Sequence, residues 1–171
     1  RVIVLMGSVC ECAEEVVEHL TAKGEKVGML KVHLYRPFVV EKFIEALPTT
    51  VKKIAVLDRT IEQGAIYEPL CLDVQSSFYG KANAPVIVGG RYGLSSKDTT
   101  PAMINAVFNN LKLDQPKDHF TLGINDDIKY SSLDITEEID VIDPSTTELL
   151  FFGLGSDGTV GACKNISKIV G

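Results

Sequence analysis

Short apolar runs alternate with helical patterns along the first 125 residues of the chain. The apolar runs predict five strands, at residues 2–6, 27–32, 54–57, 85–89 and 119–124. Between them, apolar residues spaced three and four apart predict four helices, which begin near Ser8, Val40, Pro69 and Thr100. This order is typical of an α/β domain with helices on both faces of its sheet. The fifth run alternates apolar and polar residues, which favours an edge position.

The next segment, residues 126–148, shows neither period and is strongly acidic. It contains one base, Lys129, and eight acids: Asp126, Asp127, Asp134, Glu137, Glu138, Asp140, Asp143 and Glu148. After it, the apolar run 149–152 leads into a glycine-rich loop. We therefore expect an α/β core over 1–125, an acidic linker over 126–148, and the truncated start of a second α/β unit over 149–171, a strand plus the glycine loop.

Composition and charge exclude several classes of protein. The chain has 171 residues, 45% of them hydrophobic, which is the range of a folded globular protein. Its formal net charge of −6 disfavours a nucleic-acid partner, and its longest aliphatic run is too short to cross a membrane. The four cysteines have neither zinc-site nor iron–sulfur spacing, so we expect free thiols, a reducing compartment and no metal site.

The glycine loop is the first candidate for chemistry. Gly153, Gly155 and Gly158 fit the pattern G-x-G-x-x-G, directly after an apolar run. Glycine at these positions lets backbone amides approach an oxyanion at the beginning of a helix. The alternative is a tight turn with no ligand, because a single match of this kind is weak.

The carboxyl ends of the strands form the second candidate. Asp58 and Arg59 follow the third strand, and Arg91 follows the fourth. Open α/β sheets bind ligands at this edge, and two arginines there could hold a carboxylate or a phosphate. Alternatively, Asp58 pairs with an arginine and only fixes a loop.

Four strings in the chain resemble the pyruvate:ferredoxin (flavodoxin) oxidoreductases, in the order and spacing of that family. Three resemble its domain II: Gly24–Phe38, Ile54–Thr60 with Glu68–Leu70, and Gly89–Leu94 with Pro101–Met103. The fourth, Gly153–Ala162, resembles the start of domain III. The resemblance implies a three-layer α/β/α sandwich like the C-terminal domain of transketolases. Its five-stranded sheet would be mostly parallel, with one antiparallel edge strand.

The resemblance also implies a function. The family oxidises pyruvate with coenzyme A to acetyl-CoA and carbon dioxide, and passes electrons to ferredoxin or flavodoxin. Thiamine diphosphate, Mg²⁺ and 4Fe–4S clusters would lie in other domains, so this fragment alone would be an inactive scaffold. The intact enzyme would be a homodimer, located in the cytoplasm or in a reducing anaerobic organelle. The loop that meets coenzyme A would comprise Gly155, Ser156, Asp157, Gly158 and Thr159.

Two other functions remain open from the sequence. One is a freestanding nucleotide-binding or regulatory module, and a complete second α/β unit would favour it. The other is a transketolase-like subunit of a different thiamine-dependent enzyme. The full reading frame would distinguish the three, because only the oxidoreductase would carry a thiamine-type domain and cysteine-rich cluster motifs on the same chain.

Overall fold

A computed structural model describes residues 1–95 and 97–170 of the chain. The part of the chain from Val2 to Thr121 forms a five-stranded sheet with helices on both faces, which confirms the predicted α/β class. The strands are β1 Val2–Leu5, β2 Gly28–Lys31, β3 Lys53–Asp58, β4 Val86–Arg91 and β5 Phe120–Thr121. The helices are α1 Val9–Ala22, α2 Val40–Glu45, α3 Pro69–Ser77, α4 Pro101–Asn110 and α5 Thr159–Val170.

The strand order is β2-β1-β3-β4-β5, and every pairing in the sheet is parallel. The expected antiparallel edge strand is therefore wrong: β5 runs parallel to β4, with Gly90 opposite Phe120. The helix α4 between them returns the chain to the edge where β4 began, so β5 must point the same way. The strand is also shorter than predicted, because His119 and Gly123 take left-handed backbone conformations.

Each face of the sheet covers a separate apolar core. Alternate strand residues such as Ile3 and Leu57 pack with α1 and α4. Their neighbours, such as Val4 and Val56, pack with α2 and α3. The three-layer arrangement follows from the period of two along buried strands, which sends successive side chains to opposite faces.

The predicted helix starts differ in how they are capped. Thr100 is the N-cap of α4, and its hydroxyl accepts from the amide of Met103 at 3.4 Å, as Thr followed by Pro predicts. Ser8 precedes α1 and lies three residues before Glu11, which is the spacing of a capping box, but Ser8 makes no side-chain cap bond. Ser8 has helical backbone angles, whereas a capping residue is normally extended.

The described residues divide into two compact units, Arg1–Val141 and Ile142–Gly171. The acidic segment 126–148 is thus split, and it contains no described helix or strand apart from a bridge at Ser132. Its first part packs three side chains against the core of the first unit: Leu133, Ile139 and Val141. The second unit contains α5, and no strand is described at 149–152, because the described residues of that unit offer no partner strand.

Candidate functional sites

Asp58 fixes the beginning of a helix. Its side chain is 4% exposed, and its two carboxylate oxygens accept from the amides of Leu70 and Cys71, both at 3.1 Å. These amides belong to the first turn of α3, where backbone donors lack helical partners. Burial raises the pKa of Asp58, although the two amide bonds oppose the shift. No ion pair with an arginine is found for Asp58 within the described part of the chain.

Arg59 lies on the opposite face of the sheet from Asp58. Its Nε and Nη2 donate to the carbonyls of Gly93 and Ser95, each at 3.3 Å. A Cβ on Gly93 would lie 2.9 Å from Nε of Arg59, so glycine is needed where the loop meets this side chain. Arg59 is thus held by two neutral acceptors.

Arg91 does not share a site with Arg59. It lines a cavity of about 600 Å³ beside the ends of β4 and β5, whereas Arg59 lines different cavities. Arg91 is aligned with Asp58 in the parallel register, and so it projects on the α3 side of the sheet. The two arginines that sequence reasoning grouped together therefore line different cavities.

The sequence pattern did not single out a polar cluster behind Arg91. The ring of His119 stacks on Tyr67 with centroids 4.3 Å apart, and the Tyr67 hydroxyl donates to Asp118 at 2.5 Å. Asp118 also accepts from the amide of Gly89 at 2.8 Å. These residues are far apart in sequence and meet only because β5 lies beside β4, so no local spacing could have indicated them.

Four of the five predicted residues of the glycine loop lie in one turn before α5, and the fifth, Thr159, is the first residue of the helix. Gly155 and Gly158 have φ of 83° and 86°, and Ser156 has φ of 52°. Asp157 accepts from the Thr159 hydroxyl at 2.6 Å, the Thr159 amide at 3.0 Å and the Leu154 amide at 2.9 Å. These bonds, chiefly the one from the Thr159 hydroxyl, lower the pKa of Asp157 to about 2. Asp157 therefore caps α5 as an ionised carboxylate.

The loop borders a cavity of about 700 Å³ within the second unit. Two lysines one helical turn apart, Lys164 and Lys168, line the same cavity. The hydroxyl of Thr159 is already donated to Asp157, so the cationic side chains are the stronger anion partners here.

Within residues 1–95 and 97–170, no three His, Cys, Asp or Glu side chains are grouped so that they could hold a metal ion. Across the same residues, every helix is too short or too polar to span a lipid bilayer.

Comparison with known proteins agrees with the resemblance found in the sequence. The family described as pyruvate:ferredoxin oxidoreductase core domain II matches residues 1–104. Across all of this chain, a pyruvate-flavodoxin oxidoreductase of Trichormus variabilis and a pyruvate:ferredoxin oxidoreductase of Moorella thermoacetica are each 55% identical. A pyruvate-flavodoxin oxidoreductase of Enterobacter agglomerans is 54% identical, also over the whole chain.

The chain spans 15% of the length of each of these relatives. Neither the freestanding module nor the transketolase-like subunit is supported by these matches. Because the family matches more than half of the chain and the fold is the expected α/β type, this chain belongs to the core domain II family of pyruvate:ferredoxin oxidoreductases.

Proposed function

We propose that the chain is one domain of an enzyme that oxidises pyruvate with coenzyme A to acetyl-CoA and carbon dioxide and passes the electrons to ferredoxin or flavodoxin. The observation that carries this proposal is the 55% identity over the whole chain to relatives named for that activity. Since the chain spans only 15% of their length, its partners are other domains of the same polypeptide. The intact enzyme is a cytoplasmic homodimer, or lies in a reducing organelle.

The cofactors of the intact enzyme belong to those other domains. Thiamine diphosphate with Mg²⁺ and the 4Fe–4S clusters need acidic or cysteine ligands gathered in space. Among the described residues no such group is found, and Cys10 and Cys71 are buried inside the first unit. In this proposal the domain acts as a scaffold, and the chemistry on pyruvate takes place in another domain of the enzyme.

The isolated 171-residue chain should therefore be inactive. We expect no reduction of a viologen acceptor with pyruvate and coenzyme A, and no iron–sulfur absorbance after reconstitution. The full-length enzyme, prepared and assayed alongside, is the positive control. Turnover of pyruvate by the isolated chain would contradict the scaffold role.

The glycine loop supplies a second part of the proposal, namely that it meets a phosphate of coenzyme A. Three features support it: the left-handed backbone at Gly155 and Gly158, the open space around both, and Lys164 and Lys168 on the adjoining cavity wall. Asp157 takes no part in this contact, because its oxygens are occupied within the turn. Asp157 instead stabilises the conformation of the loop.

Replacing Gly158 by Val in the full-length enzyme should raise the KM for coenzyme A by about tenfold or more, and leave the KM for pyruvate unchanged. The reason is that a φ of 86° is unfavourable for a β-branched residue, so the loop must change shape. Gly161→Ala is the matched control, since Gly161 lies inside α5 with open space around it. If the folded, cluster-loaded Gly158→Val enzyme has an unchanged KM for coenzyme A, the proposed contact between the loop and coenzyme A is wrong.

A further inference from the structure

Two adjoining cavities lie at the carboxyl ends of β1 and β3. Their volumes are about 500 Å³ and about 300 Å³, and both are lined by Ser8, Arg59 and Tyr92. The chain leaves β1 for α1 on one face of the sheet and leaves β3 for α3 on the other face. This divergence opens a crevice between neighbouring strands, which is where open α/β sheets bind small molecules. The larger cavity has the size of such a site.

Arg59 is the main charged group in this crevice, and its position is fixed in advance. Two of its N–H groups are held by the carbonyls of Gly93 and Ser95, and both residues have left-handed backbone angles that aim these carbonyls inward. A guanidinium has five N–H donors, and the other three have no hydrogen-bond partner among the described residues. Within residues 1–95 and 97–170, Arg59 forms no ion pair. An arginine held by neutral acceptors keeps its full positive charge available for a ligand.

Further donors line the same cavity. Lys97 adds a second cation, and the hydroxyls of Ser8 and Thr99 lie on the same lining. Neither hydroxyl donates a hydrogen bond to another side chain or carbonyl among the described residues. Asp98 is the acid of the larger cavity. Asp58 borders the smaller one, but its carboxylate is bound to the amides of Leu70 and Cys71.

We propose that this crevice, defined by Ser8, Arg59, Lys97 and Thr99, binds the phosphate group of a small molecule. Two cations and two hydroxyls can donate more hydrogen bonds than the two oxygens of a carboxylate can accept. A phosphate group presents three strongly accepting oxygens and can therefore use more of these donors. The free part of the cavity leaves room for the organic part of a phosphate ester. The site is separate from the glycine loop, and the proposal stands or falls independently of the enzymatic function proposed above.

The test is a titration of the 171-residue chain with inorganic phosphate at constant ionic strength, followed by amide chemical shifts. We expect saturable shifts at Ser8, Arg59 and Thr99, with a Kd on the order of 1 mM for so small a probe. Acetate in a parallel titration should bind at least about tenfold more weakly. Equal binding of acetate would overturn the phosphate assignment, and shifts that do not saturate would overturn the site.

Four variants locate the binding. Arg59→Gln and Lys97→Gln should each weaken phosphate binding by about tenfold, while Asp98→Asn should strengthen it. Arg91→Gln is the matched control, since it removes an arginine from the neighbouring strand end but from another cavity. Lys97→Gln leaves the bonds of Arg59 to the loop intact, so it remains decisive if Arg59→Gln disturbs the fold. An Arg91→Gln chain that loses as much affinity as Lys97→Gln would refute the proposal.

Discussion

Replacing Gly90 by Ala should lower the free energy of unfolding by about 3 kcal/mol. A Cβ at this position would lie 2.1 Å from Cε2 and 2.2 Å from Cζ of Phe120, which is far inside van der Waals contact. Phe120 is 1% exposed and belongs to the core beneath α1 and α4, so its ring cannot move into solvent without leaving a cavity. The measurement is urea unfolding followed by circular dichroism.

Gly28→Ala is the matched control for this prediction. Gly28 also lies in a strand of the same sheet, but nothing lies within 4 Å of an added Cβ. Its stability should change by less than about 0.5 kcal/mol. Adding Phe120→Leu to Gly90→Ala should recover part of the loss, because the smaller side chain no longer meets the new methyl group. Equal stabilities for Gly90→Ala and Gly28→Ala would show that the close approach does not matter.

The second large effect is expected at Asp58. Asp58→Ala should lower the free energy of unfolding by about 3 kcal/mol, since two buried amides at the start of α3 would lose the carboxylate that accepts their hydrogen bonds. Asp58→Asn keeps one acceptor oxygen, and we expect it to lose roughly half as much. Asp143→Ala is the control, because that exposed carboxylate accepts from the amide of Ser145, two residues further along the same turn. A loss at Asp58 no larger than at Asp143 would contradict the capping role.

The pH dependence distinguishes this buried carboxyl from an ordinary surface acid. Burial raises the pKa of Asp58 in the folded chain above its unfolded value of about 3.9. The resulting contribution to stability is fully present below the unfolded pKa and is lost as the pH rises through the folded pKa. The stability of the native chain relative to Asp58→Asn should therefore fall as the pH rises from about 3 through that pKa. An unchanged difference over this range would show that Asp58 titrates as it does in the unfolded chain.

Local patterns predicted the elements of the fold well. The apolar runs at β1 and β3 and the Thr100–Pro101 helix start carry their information within a few residues, and both features are present in the structure. The direction of β5 could not be predicted in this way, since it depends on the end of the sheet at which the chain leaves α4. The missing Ser8 cap is a similar case, because Ser8 takes helical backbone angles that its residue type does not predict.

The candidate sites were harder to predict because they depend on which face of a strand each side chain takes. Asp58, Arg59 and Arg91 were grouped by their common position at strand ends. Side-chain alternation and strand register separate them: Asp58 accepts from the start of α3, Arg59 donates to the loop after β4, and Arg91 lines another cavity. Lys97 could not be included, since only the folded loop after β4 brings it to the cavity of Arg59. Sequence reasoning grouped Asp157 with the loop residues that meet coenzyme A, and its hydrogen bond from the Thr159 amide becomes visible in the folded turn.

The sheet also divides the chain into two sets of positions that can change independently. Side chains such as Leu57 and Phe108 share one core, and Val56 and Val74 share the other, with the strand backbones lying between them. A volume lost on one face is most directly regained by a neighbour on that face, because the side chains that border the vacated space belong to that core. Compensating substitutions in the family should accordingly arise within each set, so that the two cores diverge along separate evolutionary paths.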